Sequence, residues 1–145
     1  MAILSSETLH ASCVAIDGRG VLIEGLSGTG KSDLALRLID RGAVLVSDDY
    51  IICTRQGSML YGAAPATIAG KIEVRGIGLI ELPHLERAPL ALIVTILEAP
   101  PRFPEGVHMR RIAGIDIPQV ALAGLEPSTP LKVELALKHL AGPAQ

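Results

Sequence analysis

Two groups of residues in this chain have the types and spacing to do chemistry on phosphate. The first is Gly25-Leu26-Ser27-Gly28-Thr29-Gly30-Lys31-Ser32. This Gly-x-x-x-x-Gly-Lys-Ser run follows an apolar segment and opens a helix-periodic one, the context a phosphate-binding P-loop requires. Gly25, Gly28 and Gly30 permit backbone conformations that turn several N–H groups toward one anion. The start of the following helix adds the positive end of its dipole to the same point. Lys31 is placed to reach β- and γ-phosphates, the Ser32 hydroxyl to ligate magnesium, and Ser27 and Thr29 complete the wrap. The run therefore predicts a site for a nucleoside triphosphate, ATP, with Mg2+.

The second group is Asp48-Asp49, directly after the apolar residues 43–46. A carboxylate at the end of a strand neighbouring the loop is where such folds hold magnesium. Two adjacent carboxylates can divide the work, one on the metal and one on a proton, the second with its pKa raised by its neighbour's charge. Alone, the pair would read as a surface turn; beside the loop it reads as part of a site. His10, ahead of the first strand-like run, carries no special meaning alone.

These residues need a frame, and the first third supplies one. Residues 13–16 and 21–24 are short apolar strands joined by Asp17-Gly18-Arg19-Gly20, which predicts a hairpin. After the loop, Leu34, Leu38 and Ile39 recur at helical spacing over 32–41, and Gly42 is a stop. Residues 43–46 form a buried strand. Residues 50–54, 59–62, 71–74 and 79–82 read as further strands, with a loop over 75–78. Residues 90–97 are apolar on both faces and predict a central strand. Residues 100–106 hold three prolines and must be irregular. Thr129 is the expected N-cap and Pro130 the first helical position of a last helix over 131–140. The sum is α/β, a mixed sheet flanked by helices, in one domain over 1–145.

Composition excludes other classes. Hydrophobic residues make up 49% and charged residues 19% of 145, enough for a real core. With one Phe, two Tyr and no Trp, that core is aliphatic, and the aromatic platforms of single-stranded nucleic-acid binding are missing. A net charge of -2 offers no basic field for nucleic acid or membrane. The short basic cluster 102–111 suits a phosphate, a protein partner or a solvated loop. The run 90–97 is too short to span a bilayer, and residues 1–6 do not read as a signal peptide. Cys13 and Cys53 lie in apolar surroundings and read as reduced core thiols, the expectation for cytoplasm.

Taken in order, these blocks resemble the catalytic domain of bacterial HPr kinase/phosphorylase. That family shows a His, here His10, then a hairpin into Gly-x-Ser-Gly-x-Gly-Lys-Ser, a helix, Arg-Gly (Arg41-Gly42) and a strand ending in Asp-Asp (Asp48-Asp49). Gly62-Ala63-Ala64-Pro65 and Glu73-Val74-Arg75-Gly76-Ile77-Gly78 match two further family blocks. The resemblance covers roughly residues 10–82. It implies the PEP-carboxykinase-like fold and a protein serine kinase for HPr or an HPr-like phosphocarrier, with possible reverse phosphorolysis and regulation of the phosphotransferase system. It also implies Asp48 as general base with His10 assisting, Lys31 on phosphates, Arg75 in the catalytic set, and Ser32, Asp49 and Glu73 on the metal. A homo-oligomer, typically a hexamer, follows from the same likeness. So does a short form without the longer members' N-terminal domain. Where longer members carry Gly-Arg-Asn with a catalytic arginine, this chain has residues 126–132, with Lys132 as the substitute cation. A small-molecule P-loop kinase and a non-catalytic ATP sensor are the competing readings.

Overall fold

The computed structural model describes residues 5–141; residues 1–4, within the amino-terminal stretch read for a signal, lie outside the described residues. The hairpin forms as expected. Strand β2, Ser12–Ile16, turns through Asp17 (φ 50) and Gly18 (φ 78) into antiparallel β3, Arg19–Glu24. Positive φ at both turn residues is the two-residue turn whose twist matches the strands. For the labels that follow, β1 is Ser6–Leu9, β4 Val44–Ser47, β5 Ile51–Gln56, β6 Met59–Ala63, β7 Lys71–Val74 and β8 Gly78–Glu81. Then come β9, Ala88–Ile96, β10, His108–Ile112, and β11, Ile115–Leu122. The helices are α1, Lys31–Asp40, and α2, Thr129–Leu140.

Among the described residues the main sheet has nine strands, in the order β1-β5-β6-β9-β3-β2-β4, with β11 on β9 and β10 on β11. It is mixed: β3 and β11 run parallel to β9, whereas β6 runs antiparallel to it. The long β9 is therefore the hub. One edge holds β3, and the other is shared by β6 at its start (Ala88, Pro89) and β11 at its end (Ile93 to Ile96). A strand apolar but for Thr95 suits that place because both faces are covered.

Alternation sends successive side chains of β3 to opposite faces. Val21 and Ile23 join Leu34, Leu38, Leu92, Val94, Val133 and Leu137 in a core under the two helices. Leu22 joins Cys13, Ile51, Cys53, Leu60, Ile93, Ile112 and Ile117 on the other face. Both helices thus lie against one face, rather than flanking the sheet on both. The second face is closed by the sheet's own curl, which brings the β10–β11 turn to β1, where Ala113 N donates to Glu7 Oε2 at 2.5 Å.

Helix α1 ends where Gly42 (φ 110) turns left-handed; Gly42 N donates to Ile39 O and Ala43 N to Leu38 O, both at 3.0 Å. Three strands escaped the sequence reading: β1, β10 and β11, the last carrying Pro118. The basic residues Arg110 and Arg111 thus sit on a strand, not in a loop. The expected N-cap moves by one: Ser128 holds the N-cap position of α2 with no side-chain cap bond, and the Thr129 hydroxyl donates to Ala123 O. A further correction bears on the site: β4, which leads to the carboxylates, pairs with β2 and not with β3. Both cysteines are free and buried, and burial pushes their thiols up, Cys53 to about 12. No helix among the described residues is long and apolar enough to cross a membrane.

Candidate active site

The turn between β3 and α1 builds an anion cradle. Gly28 (φ 82) and Gly30 (φ 100) take the left-handed conformations that bend the chain around a point in front of α1. Gly30 caps that helix with no side-chain hydrogen bond, which leaves first-turn N–H groups free for a ligand. Thr29 Oγ1 braces the loop on Leu26 O at 2.6 Å. Lys31, only 8% exposed, donates from Nζ to Gly25 O at 2.8 Å and so lies within the loop it would serve.

Asp48 is a buried node, 5% exposed. Its Oδ1 accepts from Ser32 Oγ at 2.8 Å and from Ser12 Oγ at 2.9 Å, and its Oδ2 from Glu73 N at 3.1 Å. It thereby joins α1, β2 and β7, across the interposed strand β2. Asp49 faces the other way. Its left-handed backbone (φ 68), which Asp tolerates better than most residues, leaves the carboxylate half exposed. His10 Nε2 stands 3.9 Å from Asp49 Oδ1, with the imidazole stacked on Tyr50 at 4.9 Å between centroids.

These groups open onto one cleft of about 420 Å³. Ser27, Gly28, Gly30, Lys31 and Ser32 form one wall; His10, Asp49, Glu73 and Arg75 form another, with Leu125 at the lip. The structure thus brings loop residues, Asp49, His10, Glu73 and Arg75 to one cleft. Asp48 does not line that cleft; it is turned inward onto Ser12, Ser32 and Glu73 N. Lys132 does not line the cleft; its ammonium pairs with Glu126 Oε1 at 3.3 Å.

No group of three or more His, Cys, Asp or Glu among the described residues gathers as a metal cage. The donors suit magnesium, which keeps several waters and takes few protein ligands: Ser32 gives its proton to Asp48, so its oxygen lone pairs can face a cation, and the Glu73 carboxylate opens on the same cleft.

Sequence reasoning missed Ser12, whose only signal was a hydroxyl inside an apolar run. It also missed Glu24, the last residue of β3, which ends one residue before the loop. Glu24 Oε1 accepts from Thr95 Oγ1 at 2.9 Å, from Gln119 Nε2 at 3.2 Å and from Arg110. A lone Glu at a strand end gives no hint of partners on three other strands.

Comparison with known proteins adds the following. A family model described as HPr Serine kinase C-terminal domain matches residues 2–86. An HPr kinase/phosphorylase of Malacoplasma penetrans is 31% identical over 139 residues, 87% of this chain and 45% of the relative. One of Clostridium acetobutylicum is 47% identical over 83 residues, 57% of this chain and 27% of the relative. The chain thus spans less than half the length of these relatives. A solved structure titled as the Hpr(Ser) kinase/phosphatase of Coxiella burnetii superposes with a TM-score of 0.81 at 31% identity, covering 92% of this chain and 95% of that one.

Proposed function

Because the chain belongs to the HPr serine kinase C-terminal domain family, we propose that it is an ATP- and Mg2+-dependent protein kinase for a serine of HPr or an HPr-like phosphocarrier. The observation that carries the reading is one cleft holding both an anion cradle and an exposed carboxylate–imidazole pair, Asp49 and His10. A protein serine kinase needs little else: positioned phosphates, a neutralised charge and a proton acceptor open to a large substrate.

In this reading the loop N–H groups and Lys31 hold the phosphate chain. Ser32 and Glu73 hold the magnesium, which when bound offsets charge on the transferring phosphoryl oxygens. Asp48, with both oxygens engaged, keeps Ser32 aimed rather than taking a proton. Asp49 accepts the serine proton, steadied by His10, and so takes the base role that the resemblance gave to Asp48 instead of a place on the metal. Burial supports this assignment: Asp48 is 5% exposed while the Asp49 carboxylate is half exposed, and a general base must come within hydrogen-bond reach of its proton. Arg75, in the turn after β7, faces the incoming protein. Cytoplasmic location and homo-oligomeric assembly belong to the same reading. Lys132, paired with Glu126 outside the cleft lining, lends no support to reverse phosphorolysis.

The test is incubation with ATP, Mg2+ and HPr, followed by intact-mass spectrometry of the carrier. One phosphoryl gained on serine is the expected result. Asp49→Asn should lower the rate about 10²- to 10⁴-fold, the range for a lost general base, with ATP binding kept. Asp48→Asn should weaken Mg2+-dependent ATP binding as well. ATP bound but HPr unmodified would remove the protein-kinase reading in favour of a small-molecule kinase or a sensor.

A further inference from the structure

The loop after β11 is fastened by both helices, α1 and α2, and lies against the phosphate loop. Arg37, on α1, donates from Nη1 to Glu126 O at 3.0 Å and from Nη2 to Gly124 O, while its Nε lies 2.9 Å from Asp33 Oδ2. From α2, the Thr129 hydroxyl donates to Ala123 O and Thr129 N to Glu126 O. One guanidinium fork thus grips the carbonyls on both sides of Leu125. The backbone fit is equally close: a Cβ on Gly124 would meet Thr29 O at 2.7 Å and Ile96 Cγ2 at 2.8 Å. A Cβ on Gly30 would meet Leu125 Cδ2 at 2.8 Å.

What this fastening presents is a leucine that is 70% exposed at the lip of the cleft. A single exposed leucine needs no explanation. One whose flanking carbonyls are both held, and which touches the phosphate loop itself, is fixed for contact. Its place says with what. The carboxylates Asp49 and Glu73 stand on the β4 and β7 side, whereas Leu125 rises from the end of β11, beyond β9 on the opposite side of β3. Attacking and leaving oxygens lie in line in phosphoryl transfer. A nucleotide whose terminal phosphoryl faces Asp49 therefore leaves the loop toward β9 and β11.

We propose that Leu125 is the seat of the nucleoside base, a specificity-determining residue that lets the site prefer a nucleotide over a bare polyphosphate. This rests on the nucleotide-kinase reading above. Arg37 is its positioning residue.

Calorimetric titration of the full chain with Mg2+·ATP and with Mg2+·tripolyphosphate tests it, in the native protein, Leu125→Gln and Leu125→Met. The native protein should bind ATP tighter than tripolyphosphate. Leu125→Gln should weaken ATP about 10-fold, the scale of one lost apolar contact in a binding pocket, and leave tripolyphosphate unchanged. Leu125→Met should retain both. Equal loss for both probes would mean that the loop only shapes the phosphate cradle. No loss for either would mean that Leu125 faces the acceptor protein or solvent. Both results overturn the proposal. A native protein that binds neither probe would instead sink the nucleotide reading, a different outcome.

Discussion

Residue chemistry in this chain is decided by which way neighbours point. Asp48 and Asp49 are adjacent and alike, yet one is a buried acceptor of three hydrogen bonds and the other stands half exposed beside His10. The sequence shows the pair but not its division of labour, because that depends on a positive φ at Asp49 and on Ser12 from another strand. The cysteines teach the converse. Their apolar surroundings are legible in the sequence, and burial is the physical cause of their raised thiols. A thiol whose pKa is raised forms thiolate only at higher pH, so Cys13 and Cys53 should resist iodoacetamide at pH 8 in the native protein. Both should react rapidly in guanidinium chloride, as counted by mass spectrometry. Labelling of either in buffer alone would contradict their placement.

At the scale of elements, the hairpin β2–β3, the helix α1 and the central strand β9 were readable, since each carries a local signal: Asp-Gly at a two-residue turn, leucines at helical spacing, an unbroken apolar run. Strands β1, β10 and β11 were not. Ser6–Leu9 and His108–Ile112 are polar edge strands, and Pro118 argues against a strand on local grounds. Only the register partners make them strands: β5 for β1, β9 for β11, and β11 for β10. The two-stranded unit β7–β8 places a cleft-lining segment through one buried side chain. Ile72 is fully buried against the α1-side core, while Ile77 and Leu79 are exposed. Ile72→Ala should therefore cost about 2 to 5 kcal/mol of stability in urea unfolding. Because Glu73 N then loses its fixed distance to Asp48, Mg2+-dependent ATP binding should weaken beyond what the lost stability explains. A variant equally destabilised at Ile117 should leave that binding alone.

For the whole molecule, the sheet's closure on itself was the hidden part. Nothing local in Glu7 or Ala113 announces that they meet across 106 positions. Hydrogen exchange should rank the consequences. Amides of β9 between Leu92 and Thr95, paired on both edges and buried on both faces, should exchange slowest. Those of residues 102–107, outside any strand, should exchange within the first time points. Slow exchange in β1 exceeding that in β9 would contradict the hub arrangement. The same hub has a consequence for how the chain is made. During synthesis the strand that ends in the phosphate loop, Arg19–Glu24, leaves the ribosome well before Ala88–Ile96, the partner that completes its second edge. Until then the nascent chain carries a hydrophobic strand with an open edge, a template for pairing with other chains. Each newly made molecule thus passes through a stage in which Arg19–Glu24 is an open hydrophobic edge, ended only once Ala88–Ile96 has emerged to pair with it.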